Sequence, residues 1–263
     1  MLVAATLIVA YALLVLGAFA GQRRLIYPAR GTGAIPELAG TTLEKLRARD
    51  GSTVHALYSE ARDGAPTLVH FHGNGEELAD LVDLVALLRA RGLGVLAVEY
   101  PGYGLSRPGE PSERAIYEAA ELALHDLREN KGVSRERTVL SGQSLGSGVA
   151  VEMASRGLGA RAILFAPYTS IADVANVYFP FLPNRWLLRD RFDNAAKAPR
   201  VTVPVLVVHG TDDEVIPFEL GERLAGMFPN AQLVPLPRGR HNDLFLRGGD
   251  ALVRDLETFC RAE

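Results

Sequence analysis

The stretch Thr138-Val139-Leu140-Ser141-Gly142-Gln143-Ser144-Leu145-Gly146-Ser147 decides how this chain is read. A short apolar run, Thr138 to Leu140, leads into the pentapeptide Gly142 to Gly146, and a helix-like run from Leu145 to Ala154 follows. A G-x-S-x-G pentapeptide between a strand and a helix holds its serine on a sharp, strained turn with the hydroxyl exposed. The flanking glycines are needed because side chains there would collide with the neighbouring strand and helix backbones. A chain with 26 glycines yields so loose a pattern by accident often enough that Ser144 must be judged by its partners.

Outward from the pentapeptide, strands and helices alternate. Leu43 to Ala48 and Val54 to Ser59 flank Asp50-Gly51, a hairpin signal. Thr67 to Phe71 and Gly94 to Val98 read as buried strands around a helix carrying Leu78, Leu81, Val82, Val85 and Leu88, stopped at Gly92. A helix is expected over 112–130, then strand 138–140, helix 145–155, strand 160–165, strand 205–208, helix 218–227, strand 232–234 and helix 251–260. This rhythm implies an α/β fold, a mostly parallel sheet flanked by helices. Ligands in such sheets bind at the carboxyl ends of strands, where His72, Ser144 and His209-Gly210 all fall. One segment breaks the rhythm. Residues 168–204 hold four prolines and the aromatics Tyr178, Phe179, Phe181 and Trp186, and read as a cap or lid over that sheet edge.

A serine hydroxyl is a weak nucleophile at neutral pH and needs a base, and the base needs an orienter. Of six histidines, His55 and His70 lie inside strands and read as structural. His125 sits among charges on a helix, and His72 and His209 each precede a glycine, where an imidazole buttresses a loop. His241, on a loop after the last strand, is the general base expected. The acid should leave a strand end between serine and histidine. His209-Gly210-Thr211-Asp212-Asp213 supplies it, with Asp213 preferred, Asp212 the alternative and Asp193 a lid possibility. The order Ser144, Asp213, His241 is the one expected for a G-x-S-x-G hydrolase sheet. Oxyanion donors are expected from the backbone N–H groups of Leu145, at a helix start, and of Asn74, in His72-Gly73-Asn74-Gly75.

Together with Tyr100-Pro101-Gly102-Tyr103-Gly104 and His241-Asn242-Asp243, these motifs make the chain resemble the α/β-hydrolase superfamily over almost all its length after residue 40. Within it, the chain is similar to N-terminally membrane-anchored serine hydrolases related to protein depalmitoylases and lysophospholipases. The resemblance implies a catalytic triad of Ser144, Asp213 and His241 and esterase or thioesterase activity on a small-molecule or lipid-like acyl substrate. It implies no cofactor and no metal. In that branch the acid is the aspartate four residues after the histidine of the His-Gly motif, here Asp213. Arg240 departs from the pattern, since small residues commonly precede the histidine; the departure is expected to leave the triad intact and to alter the pocket's charge. A peptidase or aminopeptidase of the same fold, or a non-catalytic hydrolase-fold binding protein, are the rival readings.

The N-terminus has its own logic. Leu2 to Ala20 carries no charge, and as a helix would be about 28 Å long, close to the ~30 Å of a bilayer core. A transmembrane anchor over 1–21 is expected, then a linker over 22–40 and the hydrolase domain over 41–263. A cleaved signal ending at Ala18-Phe19-Ala20 and a buried core helix are the competing readings. Arg23 and Arg24 weakly favour a cytoplasmic catalytic domain. A net charge of −3 gives no reason to invoke nucleic acid, and a single cysteine, Cys260, allows no internal disulfide. Nothing in the pattern fixes an oligomeric state.

Overall fold

The computed structural model describes residues 2–28, 31–48 and 51–262. It opens on helix α1 (Leu2–Ile26). The sheet then starts with β1 (Thr42–Arg47) and β2 (Thr53–Ser59), antiparallel in the register Thr42 opposite Tyr58. Asp50 of the expected hairpin turn lies outside the described residues. β3 (Thr67–Phe71), α2 (Val82–Ala90) and β4 (Gly94–Val98) come next, followed by α3 (Glu113–Glu129), β5 (Thr138–Gln143) and α4 (Leu145–Ser155). After β6 (Arg161–Phe165) the chain leaves the sheet for three short helices, α5 (Ile171–Tyr178), α6 (Asn184–Leu187) and α7 (Asn194–Lys197). It returns through β7 (Val205–Gly210), α8 (Phe218–Ala225), β8 (Ala231–Leu236) and α9 (Leu244–Arg261).

The eight strands lie in the order β1-β2-β4-β3-β5-β6-β7-β8. β2 is antiparallel to both neighbours, and every pair from β4 across to β8 is parallel. The central strands are apolar and buried along their lengths because helices cover both faces. One face packs Ile116, Val149, Met153 and Leu224 into a core. The other packs Val85, Leu88, Leu252 and Leu256, with Cys260 beside them. Burial pushes the Cys260 thiol up to about 12, so it is an inert packing residue. This is the expected doubly wound arrangement, and it lines up the carboxyl ends of β3, β5 and β7 on one edge.

Two boundaries differ most from the sequence reading. α1 continues past residue 21 to Ile26, because Gln22 and Arg23 find partners on the excursion after β6; Pro28 then follows, a residue that disfavours helix before it. α9 begins at Leu244 rather than Ala251, with a break at Gly249 (φ +50°) that a short apolar periodicity does not reveal. α1 is also not a core helix: Gln22 is its one buried residue among those described.

The tightest approach in the fold lies under α4. A Cβ on Gly146 would overlap the carbonyl oxygens of Phe71 and His72, and one on Gly142 would overlap the Gly146 carbonyl. Backbone atoms cannot be displaced as a side-chain tip can. Gly146→Ala should therefore cost about 2 kcal/mol or more, read as a clear fall in Tm against the parent chain. An unchanged Tm would mean that the β3–α4 packing is looser than described.

Candidate active site

The site is built at the β5–α4 turn. Ser144 has φ +51° and ψ −120°, a backbone conformation that non-glycine residues rarely adopt and that costs about 1–3 kcal/mol. The surroundings hold it there. Ser144 N–H donates to the Phe165 carbonyl at 2.9 Å, and Ser147 returns both its N–H (2.9 Å) and its hydroxyl (2.6 Å) to the Ser144 carbonyl. Ser144 is nearly buried, and it lines a cavity together with Leu145 and Asn74.

Asp213, the expected acid, sits on the loop after β7. His241 Nδ1 donates to Asp213, 2.8 Å from Oδ2 and 3.0 Å from Oδ1. The N–H groups of Val215 and Ile216 each donate to Asp213 Oδ1 at 2.8 Å. His209 Nε2 reaches Asp213 Oδ2 at 3.1 Å and the Ile216 carbonyl at 3.0 Å. Both nearby groups are acceptors, so His209 carries its proton on Nε2 and shares it between them. Burial opposes ionisation of Asp213, but the hydrogen bonds from His209 and His241, with the charge of His241 and the Ile216 N–H, outweigh it. They hold the carboxyl well below its usual range. With a folded value depressed below 3.8, its stabilising contribution is present above that pH and is lost only as acid approaches the folded value. It stays a carboxylate throughout the neutral range.

The other candidate acids have different work. Asp212 is exposed and accepts from the Thr211 hydroxyl at 3.0 Å. Asp193 caps α7 through Ala196 N–H, and Asp243 binds Arg240 N–H and the Arg247 side chain. Arg240 pairs with Glu214 at 3.1 Å and is absent from the cavity wall, so the charged wall expected of it does not form there. No hydrogen bond joins Ser144 Oγ to His241 Nε2 among the described residues. Such bonds are often long before substrate arrives.

The loop after β3 faces the serine. His72 is buried, Nδ1 donates to the Gly73 carbonyl at 2.8 Å, and burial lowers its pKa to about 4, so it remains neutral. Tyr100 stacks on His72 with ring centroids 4.0 Å apart and donates its hydroxyl to the His72 carbonyl at 2.8 Å. Tyr103 donates to Asn74 Oδ1 at 3.2 Å. The two tyrosines of the Tyr100-Pro101-Gly102-Tyr103 motif thus hold the loop carrying Asn74. Glu76 accepts the Gly73 N–H at 2.5 Å, and burial raises its pKa. The tyrosine contacts are not visible in spacing, because they join residues from separate strand ends.

The cavity encloses about 240 Å³. Its wall is almost wholly apolar, with Ile171, Val174, Tyr178 and Phe179 of the α5 segment over Ser144. Tyr178 also ties that segment to the acid loop, its hydroxyl 2.9 Å from the Glu214 carbonyl and 2.8 Å from that of Val215. Among the described residues no cluster of His, Cys, Asp and Glu is arranged to hold a metal ion. A serine on a strained elbow, lining a cavity with Leu145 and Asn74, and an imidazole anchored by an ionised carboxylate are the groups that nucleophilic acyl transfer requires.

The chain is similar to several known proteins. The sequence profile described as serine aminopeptidase, S33 matches residues 64–194. An uncharacterized protein of Mycobacterium tuberculosis is 33% identical over 247 residues, covering 90% of this chain and 86% of its own. Alpha/beta hydrolase domain-containing protein 17C of Xenopus laevis is 35% identical over 214 residues, covering 80% of this chain and 67% of its own. The Pyrococcus furiosus esterase Pf2001 superposes with a TM-score of 0.70 over 88% of this chain and 98% of its own, at 14% identity, a likeness in fold alone.

The two adjacent aspartates are separable by substitution. Asp213→Asn should lower kcat on an activated ester by about 10⁴-fold, while Asp212→Asn stays within about twofold of the parent. The reverse ranking would reassign the acid.

Proposed function

The chain belongs to the α/β-hydrolase family, and we propose that within it this protein is a membrane-tethered serine hydrolase of carboxylic ester or thioester bonds. The observation that carries the reading is the 2.8 Å bond from His241 Nδ1 to a buried, ionised Asp213, on the sheet edge where Ser144 is held at φ +51°.

In this mechanism Ser144 Oγ attacks the carbonyl carbon of the acyl substrate while His241 Nε2 takes its proton. Asp213 keeps the imidazole in the Nδ1–H tautomer and stabilises its charged form. The backbone N–H groups of Leu145 and Asn74 receive the oxyanion; Leu145 is the first residue of α4, where helical N–H groups lack intrahelical acceptors. Collapse of the tetrahedral intermediate breaks the bond to the alcohol or thiol, which leaves with the proton from His241. Water then attacks the acyl-Ser144 ester, giving up its proton to His241, and the carboxylic acid departs as Ser144 recovers its own. The residues alone suffice, with no cofactor or metal in any step.

The apolar wall favours an acyl group over a peptide. An aminopeptidase must hold a free ammonium group, and no acidic side chain lines the cavity among the described residues. Helix α1, an 18-residue stretch of which has a mean hydropathy of 2.5, is long enough to cross a membrane, which supports tethering.

Ser144→Ala should abolish labelling by a fluorophosphonate and lower ester turnover by about 10⁵-fold or more. A p-nitrophenyl ester series should be hydrolysed, and an aminoacyl p-nitroanilide should be a far poorer substrate. Labelling that survives Ser144→Ala would remove the serine from the mechanism, and faster anilide cleavage would make the protein a peptidase.

A further inference from the structure

The cavity beside Ser144 has a wall that the hydrolase sheet does not supply. Ala18, Gln22, Leu25 and Ile26 of α1 line it, spaced so that they share one face of the helix. These residues belong to the same helix that is apolar on all its sides and long enough to span a bilayer. A tether alone would need no contact with the site.

The contact is specific. Gln22, the one buried residue of α1 among those described, donates its amide to the Leu187 carbonyl at 3.1 Å and to the Phe19 carbonyl at 2.8 Å. Its amide oxygen accepts the Arg189 N–H at 2.7 Å. Arg23 pairs with the buried Asp190 at 3.0 Å, and the Arg189 guanidinium lies 4.2 Å over the Phe19 ring. Further toward the N-terminus, Tyr11 donates its hydroxyl to the Phe181 carbonyl at 2.8 Å. α1 therefore meets the α5–α6 segment at Tyr11 and again from Ala18 to Arg23.

That length sets a depth. Tyr11 lies about 16 Å along the helix axis from Gln22, roughly half the thickness of a hydrocarbon core. The last turn of α1 carries Arg23 and Arg24, charges suited to the headgroup layer. Whatever touches α1 at Tyr11 must then lie within the apolar layer that holds the helix. The segment there exposes Val177, Phe179 and Phe181, and Trp186 is 83% exposed. Such a patch is costly in water and favourable in lipid. Trp186 sits beside Arg185, a pairing suited to the interface.

Resting on the ester-hydrolase reading, we propose that α1 forms one wall of an acyl-chain site that opens sideways into the bilayer. The α5–α6 segment is immersed beside the helix, and the acyl chain of a membrane-resident ester enters from the lipid without crossing water. Gln22, Arg23 and Asp190 are positioning residues that lock the wall to the segment. Ala18 is a specificity residue, because its small side chain leaves the cavity open on the helix side.

The full chain in vesicles of phosphatidylcholine and phosphatidylglycerol tests this in two arms. Ala18→Phe should reduce the ratio of kcat/KM for p-nitrophenyl decanoate to that for the acetate by about tenfold; an unchanged ratio overturns the helix wall. In the parent chain, the emission of Trp186, the single tryptophan, should shift blue on vesicle binding. Phosphatidylcholine brominated near the headgroup end of its chains should quench it. Emission that ignores brominated lipid overturns immersion, as does an intact mass showing that the mature chain has lost residues before Gly21. Failure of the hydrolase reading is distinct: no ester is then hydrolysed by any variant, while the tryptophan arm still reports where the segment lies.

Discussion

The structure turns on the contact between the first turn of α4 and the carboxyl end of β3. Gly146 lies so close to the Phe71 and His72 carbonyls that no Cβ fits, and Gly142 is equally close to Gly146. With α4 pressed against the end of β3 and Gly142 of β5 against Gly146, the β5–α4 connection must turn sharply, and Ser144 takes the strain at φ +51°. The same contact brings the His72–Gly75 loop against the serine, since a Cβ on Gly73 would stand 3.6 Å from Ser144 Cβ. Ser144 and the His72–Gly75 loop are placed by one packing constraint.

The acid side follows a second constraint, the crowding of donors around Asp213. Two backbone N–H groups, His209 and His241 all point at one carboxylate. A Cβ on Gly221 would overlap His209 Nδ1, so a glycine in α8 is what gives the buttressing imidazole its room. The arrangement around Asp213 thus reaches back into a helix with no residue in the cavity. Tyr178 links this loop to the segment over the cavity, so the Asp213 loop and the cavity wall form one connected structure.

Much of this was legible in the sequence. The alternation of strands and helices predicts the sheet, because buried parallel strands are continuous apolar runs and Thr67–Phe71 and Val205–Gly210 stand out as such. Asp213 and His241 were legible as loop residues after strands, since sheet topology gathers those loops at one edge. Contacts between distant segments were not. The Tyr103–Asn74 bond and the Gln22 clamp on the α5–α6 segment leave no local periodicity. Apolar composition marked α1 as able to cross a membrane, but could not show that its last turns border the cavity.

The central claim is that Ser144 carries the acyl group between two half-reactions. Rapid mixing of the protein with a p-nitrophenyl ester, followed by acid quench and peptide mapping, observes that intermediate directly. The account predicts a burst approaching one p-nitrophenolate per chain and an acyl adduct on the peptide containing Ser144. Turnover without a burst and with no adduct, or an adduct on another residue, would contradict it.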